Sequence, residues 1–268
     1  MGWPVAHSLS PLIHRTWLED YGIDGDYILI AVPPDEFHEK VRNLRAEGFC
    51  GANVTAPHKE AALAAVDRVT SVARRIGAVN TLYFEDDTLV GTNSDATGFY
   101  RNLLANAPGW EAAAGPAAVL GAGGAARAVV VALLDAGAPE VRLLNRTRAR
   151  AETLGREFGA SVKVEDWARR EPCLAGVNLL VNTTTLGMTG QPALALCLDA
   201  LPAEALVNDI VYRPLETGLL AAARARGHPV VDGLGMLLHQ ATLGFRLWFG
   251  REPEVTPALR AAVLEAMA

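Results

Sequence analysis

The chain has few cysteines and no long apolar run, and both absences narrow what it can be. Its 268 residues include only three cysteines, Cys50, Cys173 and Cys197, and no C-x-x-C pair. A disulfide framework or a metal site is therefore not expected, and a reducing, cytoplasmic compartment is predicted. No apolar run reaches the roughly 20 residues of a membrane-spanning helix. Residues 1–4 have neither the basic nor the apolar character of a signal region.

Positive charge is also scarce, and nearly all of it is arginine. The chain has 24 Lys and Arg against 30 Asp and Glu, a net charge of −6. This sign argues against nucleic acid as a partner, although a local basic pocket can still bind a small anion. Only Lys40, Lys59 and Lys163 are lysines. A lysine inside a polar motif of this chain is therefore a candidate functional residue.

Short apolar strands alternate with helices along most of the chain. In the first part we predict strands at 27–32 and 49–54, a helix at 34–47, and a hairpin of 79–84 with 88–90. Later strands are predicted at 117–120, 141–145, 161–164, 179–182, 206–209 and 230–231. Such alternation predicts parallel strands with right-handed crossovers. We expect an α/β protein of two α/β lobes separated by a cleft, the second a Rossmann-type doubly wound parallel sheet.

A glycine-rich turn follows the predicted strand 117–120 and fits the pattern G-x-G-x-x-G/A. Gly121 permits the tight turn, Gly123 lets the backbone approach a pyrophosphate, and Ala126 allows close packing of helix on strand. The N–H groups at the start of the next helix favour phosphate. Between a strand and a helix the pattern predicts a dinucleotide site. Its residues are Gly121, Ala122, Gly123, Gly124 and Ala125. A tight turn without a ligand is the alternative.

The end of the following strand favours NADP over NAD. An NAD site would place Asp or Glu there to bind the ribose hydroxyls, whereas this chain has Asn145, Arg146 and Thr147. A guanidinium group carries a permanent charge and can bind a 2′-phosphate through two hydrogen bonds. The alternative interpretation is a solvated basic start to the next helix.

Polar residues recur at strand ends and turns of the first lobe. Ser8 and Ser10 can direct two hydroxyls at one oxyanion. Lys59 stands at a helix start, where the helix dipole disfavours a cation, and this placement suits a proton donor. Taken singly, the serines are explained as turn or cap residues, Lys59 as a surface lysine, and Asp95 as a helix cap. Together with Asn80 they suit a hydroxylated, charged small molecule.

In combination these motifs resemble the shikimate dehydrogenase family over nearly the whole chain. The resemblance rests on residues 7–11, 53–59, 93–95, 121–126, 145–147, 182–188, 209–214 and 233–240. It implies an NADP-dependent oxidoreductase that reversibly reduces 3-dehydroshikimate to shikimate, on the chorismate route to aromatic amino acids. It also implies a substrate-binding and catalytic domain of residues 1–96 plus 236–268 and an NADP-binding Rossmann domain of residues 97–235. A monomer or homodimer without nucleic-acid or membrane partners is expected.

The resemblance assigns a role to each motif residue. Lys59 and Asp95 would form the catalytic pair. The substrate would be bound by Ser8, Ser10, Thr55, Asn80, Tyr212 and Gln240. The cofactor would be bound by the residues of the glycine turn and by Asn145, Arg146, Thr147, Thr183, Gly233 and Met236.

The sequence departs from the family pattern at one point, and two alternative functions are compatible with its motifs. Only Met1 precedes Gly2, where family members usually carry a short apolar strand, so that strand is expected to be absent or the chain shortened. A quinate/shikimate dehydrogenase using NAD(P) would use the same residues. A non-catalytic NADP-binding module is the second alternative, and the presence of both Lys59 and Asp95 argues against it.

Overall fold

The first unit contains a mixed four-stranded sheet whose polar ends lie in one register row. The computed structural model describes residues 1–267, and this unit comprises Met1–Gly98 and the chain from Leu238 onward. Its strands are β1 (Gly51–Asn53), β2 (Arg68–Val69), β3 (Thr81–Glu85) and β4 (Thr88–Thr92), in the order β1-β3-β4-β2. Asn53 pairs with Thr81, and Thr81 pairs with Thr92. The segments that follow Asn53 and Thr92 and the segment that precedes Thr81 are therefore neighbours at one edge of the sheet.

The helices of this unit before Gly98 are α1 (Ser10–Asp20), α2 (Phe37–Asn43), α3 (Ala62–Ala65), α4 (Ser71–Ile76) and the start of α5 (Asp95–Asn106). Apolar side chains of α2, α3 and α4 share one buried cluster with the sheet. Phe37 and Val41 of α2 pack with Leu82 of β3 in one buried cluster. The helix predicted at 34–47 is shorter in the structure, because turns replace it at both ends.

The predicted strand at 27–32 is wrong. Its composition suits a strand, but β structure requires a partner, and within residues 1–267 the segment pairs only through an isolated parallel bridge between Ala31 and Gly2. Gly2 N donates to Ile30 O at 3.3 Å, and Val32 N donates to Gly2 O at 3.1 Å. Beyond Gly2 the neighbouring chain turns away, since Trp3 N donates instead to Ala56 O.

The second unit, Phe99–Leu237, is built on a six-stranded parallel sheet. Its strands are β5 (Ala117–Leu120), β6 (Val141–Leu144), β7 (Val162–Glu165), β8 (Leu179–Asn182), β9 (Leu206–Asp209) and β10 (Val230–Val231). Their order is β10-β9-β8-β5-β6-β7, so the direction of winding reverses between β5 and β8. Ligands of such sheets bind beyond the carboxyl ends of the strands at this reversal. The predicted α/β class with a Rossmann-type sheet is confirmed.

The remaining helices are α6 (Gly124–Asp135), α7 (Arg148–Phe158), α8 (Gly218–Ala225), α9 (Leu234–Phe249) and α10 (Pro257–Glu265). The central strands β5, β8 and β9 are buried at every residue, as expected for a parallel sheet covered on both faces. α6 buries a continuous face of small and branched residues, among them Ala126 and Val130. Among residues 1–267, no helix combines the length and apolar character needed to cross a membrane.

Candidate active site

Lys59 and Asp95 form an ion pair in the first unit, although 36 residues separate them. Lys59 Nζ lies 2.5 Å from Asp95 Oδ2, and the side chains are 22% and 7% exposed. Lys59 sits in the turn between β1 and α3, and its carbonyl oxygen accepts a hydrogen bond from Val79 N at 2.8 Å. Asp95 is the first residue of α5. The ammonium is therefore held on a partly open surface by a buried carboxylate.

Asp95 does not act as the helix cap that its position alone suggests. Its second carboxylate oxygen, Oδ1, accepts a hydrogen bond from Asn80 Nδ2 at 2.8 Å. Its own N–H donates to Asn93 Oδ1 at 2.9 Å, and the Asn93 amide donates to Ala78 O. Both carboxylate oxygens are thus committed to Lys59 and Asn80, which fixes the orientation of the group.

Asn80 connects Asp95 to the rest of the polar cluster. Its Oδ1 accepts hydrogen bonds from Thr81 Oγ1 at 2.8 Å and from Ser94 N at 2.9 Å. Ser94 Oγ in turn contacts Gln240 Oε1 of α9 at 3.4 Å. The structure thus brings together four of the predicted residues, Lys59, Asp95, Asn80 and Gln240. Ser94 is a fifth member that the sequence reasoning did not assign.

The two predicted anion-binding serines lie side by side at the start of α1. Ser8 Oγ contacts Ser10 Oγ at 3.2 Å and accepts a hydrogen bond from Ser10 N at 3.3 Å. Thr55 lies four residues before Lys59, is exposed, and donates its N–H to Met1 O at 2.9 Å. The three hydroxyl groups lie in or beside loops, and their exposure differs: Thr55 is exposed, Ser8 is half-buried and Ser10 is buried.

Asn53 and Tyr27 form hydrogen bonds that stabilise the polar cluster, and neither was predicted to have a role. Asn53 Nδ2 donates to Asn80 O and Thr81 Oγ1, both at 3.2 Å, and Asn53 Oδ1 accepts from Tyr27 OH at 2.8 Å. Burial raises the pKa of Tyr27. Tyr27 also stacks on the buried ring of His14, with centroids 4.3 Å apart. The polar residue at the end of β1 was the only sequence signal for this support.

The glycine turn of the second unit has the geometry that a pyrophosphate requires. Gly121 has φ +115°, and a Cβ on it would lie 2.4 Å from Thr183 Oγ1. A Cβ on Gly123, the residue before α6, would meet nothing within 4 Å. The direction in which a Gly123 side chain would point is thus open, next to a helix N-terminus whose N–H groups favour an anion. Ala122, Gly124 and Ala125 complete the turn and the first residues of the helix.

The segment after β6 presents positive charge and no carboxylate. Asn145 Nδ2 donates to Thr147 O at 2.8 Å, which closes a short loop before α7. Arg146 is exposed in this loop, whereas the neighbouring Arg148 is paired with Glu152 and Asp166. Among the described residues the Arg146 guanidinium has no ion-pair partner, so it is available to an anionic ligand.

Thr183 and Tyr212 lie on loops at the carboxyl ends of β8 and β9. Thr183 Oγ1 donates to Leu120 O at 2.6 Å, beside the glycine turn. Tyr212 is half-buried, and burial raises the pKa of its hydroxyl. Gly233 is required by packing, since a Cβ there would lie 2.3 Å from Ile210 O. Met236 is buried in the first turn of α9.

Comparisons with known proteins identify the family. Residues 1–82 match the shikimate dehydrogenase substrate binding domain, residues 107–187 the shikimate / quinate 5-dehydrogenase family, and residues 233–264 the shikimate 5'-dehydrogenase C-terminal domain. The shikimate dehydrogenase (NADP(+)) of Paramagnetospirillum magneticum is 60% identical over 98% of this chain and 96% of its own. The chain belongs to the shikimate dehydrogenase family. The predicted family is confirmed.

Solved structures agree over the full length. Shikimate 5-dehydrogenase from Thermus thermophilus, in complex with NADP(H) and shikimate, is 42% identical with a TM-score of 0.88 and covers 100% of this chain and 97% of its own. Quinate dehydrogenase from Corynebacterium glutamicum, in complex with NAD, is 30% identical with a TM-score of 0.91 and covers 98% of this chain and 96% of its own. Because both enzyme types occur on this fold, the fold alone does not distinguish them.

Proposed function

We propose that this chain catalyses the reversible, NADPH-dependent reduction of 3-dehydroshikimate to shikimate in the chorismate route to aromatic amino acids. The observation that carries the proposal is the ion pair of Lys59 and Asp95, 2.5 Å apart and held by Asn80. A carbonyl reduction needs a proton donor at the carbonyl oxygen, and this pair supplies an oriented one. The family membership supports the same reaction.

Bound NADPH supplies the hydride in such a reduction. Lys59 donates a proton from Nζ to the oxygen that gains negative charge as the carbonyl is reduced. Asp95 holds Nζ in place, and its carboxylate accepts a hydrogen bond from a neighbouring hydroxyl of the substrate. Arginine cannot replace Lys59 in this role, because a guanidinium does not release its proton in proteins. In the reverse direction the Lys59 amine accepts the proton from the alcohol.

The other polar residues of the first unit bind and orient the substrate. Ser8 and Ser10 donate two adjacent hydroxyls to its carboxylate, which their 3.2 Å separation favours. Asn80, Gln240 and Thr55 bind ring hydroxyls. Tyr212 also contributes to substrate binding in this proposal. We assign substrate binding and catalysis to the first unit on this basis.

The second unit holds NADPH. The Gly121–Ala125 turn and the N-terminus of α6 receive the pyrophosphate, and the open space over Gly123 supports this assignment. Asn145, Arg146 and Thr147 bind the 2′-phosphate. Thr183 would also bind the cofactor, and Gly233 and Met236 would bind its nicotinamide end. The preference for NADPH depends on the Arg146 charge, because no acidic residue stands at the end of β6 to bind a free ribose hydroxyl.

The test is to measure reduction of NADP⁺ and NAD⁺ with shikimate and with quinate, four assays on one purified protein. We expect kcat/KM to be highest for shikimate with NADP⁺. Equal rates with quinate and NAD⁺ would instead support the quinate/shikimate alternative. Absence of turnover in all four assays, with NADP⁺ binding retained, would support a non-catalytic binding module and overturn the proposal.

We also propose that the protein acts in the cytoplasm as a monomer or homodimer on a small-molecule substrate. Cys50, Cys173 and Cys197 are unpaired, which supports a reducing compartment. Light scattering after gel filtration would measure the oligomeric state. A tetramer or larger assembly would contradict this expectation.

A further inference from the structure

A buried carboxylate without a cation lies at the end of β9. Asp209 has no solvent exposure. It forms no ion pair with any of the described residues. Burial raises its pKa to about 6 although three hydrogen bonds oppose the effect. An isolated buried carboxylate is unfavourable unless hydrogen bonds compensate it, so the position of these bonds indicates what the group does.

The Asp209 carboxylate accepts hydrogen bonds from both ends of the loop that follows β9, which we call the β9 loop (residues 210–217). Oδ1 accepts a hydrogen bond from Val211 N at 3.0 Å, at the start of the loop. Oδ2 accepts one from Thr217 Oγ1 at 2.7 Å, at its end. Thr217 is also the N-cap of α8, since its hydroxyl accepts from Leu220 N. Tyr212 lies between these two anchors.

The same carboxylate reaches the loop that follows β8, which we call the β8 loop (residues 183–192). Asn182 Nδ2 donates to Asp209 Oδ1 at 3.0 Å and to Leu186 O at 3.1 Å. Asn182 Oδ1 accepts from Thr184 N at 3.0 Å and from Thr184 Oγ1 at 2.7 Å. Asp209 therefore orients the Asn182 amide, and that amide holds the first turn of the β8 loop.

Strand register explains why these groups meet beside the glycine turn. Leu120, Asn182 and Asp209 are direct partners across the adjacent strands β5, β8 and β9. Thr183 N and Oγ1 both donate to Leu120 O, the residue before Gly121. The two loops also touch, since Thr189 N donates to Arg213 O at 2.8 Å. One buried carboxylate thus joins both loops at the place where the sheet reverses its winding.

We propose that Asp209 is a positioning residue that fixes the β8 and β9 loops and thereby places Thr183 toward the cofactor and Tyr212 toward the substrate. The inference rests on the roles proposed above for Thr183 and Tyr212. A carboxylate suits this position because it accepts three hydrogen bonds and donates none. An asparagine there puts an NH₂ group against one of three donors.

The experiment compares Asp209→Asn, Thr217→Val and Thr217→Ser. Asp209→Asn and Thr217→Val each disrupt the hydrogen bond between residues 209 and 217 with little change in side-chain volume, whereas Thr217→Ser keeps the hydroxyl. We expect the first two to raise the Kd for NADP⁺ and the KM for shikimate by about tenfold or more, because misplaced binding groups lose affinity steeply. Thr217→Ser should stay within about threefold of the unmodified protein.

Hydrogen exchange supplies a readout independent of activity. In Asp209→Asn the amides of Val211, Thr184 and Leu186 should exchange faster, while those of β5 and β8 remain protected. Leu198→Ala is the matched control: Leu198 is buried in the same core, outside both loops. It should lower stability but leave the Kd for NADP⁺ and the loop exchange unchanged.

Two results would overturn the inference. One is a Kd, KM and loop exchange in Asp209→Asn equal to those of the unmodified protein. The other is an equal change in Leu198→Ala, which would show that lost stability alone explains the effect. If the unmodified protein itself fails to oxidise shikimate with NADP⁺, the proposed function fails. In that case hydrogen exchange and NADP⁺ titration still test whether Asp209 fixes the two loops.

Discussion

His14 is the group whose protonation we expect to weaken the first unit in acid. Its ring is fully buried, 4.3 Å from the Tyr27 ring and 5.6 Å from the Trp17 ring between centroids. Neither ring nitrogen has a hydrogen-bond partner among the described residues. Burial lowers the pKa of His14 from 6.5 to about 3, and the nearby Asn53 side chain opposes only part of this shift.

The direction in which pH changes stability follows from the pKa of His14 in the unfolded and the folded chain. The unfolded chain protonates this ring below pH 6.5, whereas the folded chain does so only near pH 3, so acid favours unfolding between these values. At about 1.4 kcal/mol per pKa unit, His14 removes on the order of 1 kcal/mol of unfolding free energy at pH 5.5 and on the order of 3 kcal/mol at pH 4.5. Asp209 acts oppositely, since its raised pKa makes the folded state bind more protons between pH 3.8 and about 6.

Because other groups titrate in this range, the measurement compares two proteins at each pH. His14→Phe keeps an aromatic ring in the stack and removes the titrating group. We would follow urea unfolding by tryptophan fluorescence at pH 7.5, 5.5 and 4.5. The free energy of unfolding of His14→Phe minus that of the unmodified protein should be higher than at pH 7.5 by on the order of 1 kcal/mol at pH 5.5 and on the order of 3 kcal/mol at pH 4.5. Trp17→Phe is the control, since it alters the same cluster without removing a titrating group. A His14→Phe difference that does not change with pH would refute the reasoning.

Further predictions concern the reaction and the cofactor. Lys59→Ala should lose at least about 100-fold in kcat with a smaller change in KM, and Lys59→Arg should fail similarly; near-normal turnover would remove Lys59 from the mechanism. Arg146→Ala should raise the KM for NADPH and spare that for NADH, and equal losses with both would contradict a 2′-phosphate role. Gly121→Ala should lower the unfolding free energy by about 1–3 kcal/mol and weaken NADP⁺ binding, because its positive φ and the close Thr183 hydroxyl leave no room for a methyl group. Gly123→Ala should leave the thermal midpoint unchanged yet weaken NADP⁺ binding, as measured by calorimetric titration; unchanged binding would place the phosphates elsewhere.

The second unit was predictable from the sequence almost to the residue. Strands β5, β8, β9 and β10 have the predicted bounds, and those of β6 and β7 differ by no more than one residue at either end. The reason is that a parallel strand covered on both faces is a continuous apolar run, and glycine or polar residues mark where it stops. These signals lie within each segment and do not depend on which other segment pairs with it.

The first unit was less predictable because its strands depend on their partners. Residues 27–32 have the composition of a strand, but among the described residues their only β-bridge partner is Gly2. β2 is two residues long and was not predicted, since Arg68–Val69 is a strand only by virtue of its pairing with β4. A pattern in one segment cannot show whether a neighbouring segment presents free N–H and C=O groups to it.

The candidate site shows the same division. Lys59 and Asp95 were singled out by residue type and by the family resemblance, but their 2.5 Å contact across 36 residues could not be read from spacing. Asn182 and Asp209 were noticed only as parts of motifs, because their hydrogen bond depends on β8 and β9 being neighbours. The residues proposed to bind ligands can be recognised in the sequence by their type. The residues that position them can be recognised only once the strand order is known.

Both units therefore place buried or half-buried polar residues in a row across neighbouring strand ends. Asn53, Thr81 and Thr92 form the row in the first unit, and Asn182 with Asp209 forms the corresponding pair in the second. A buried polar group without a partner is destabilising, so each member of such a row constrains the next. Loops that leave from these rows consequently start in fixed directions. This is the physical reason that a site can be built on loops here: the loops carry the binding groups, and the strand ends determine where those groups point.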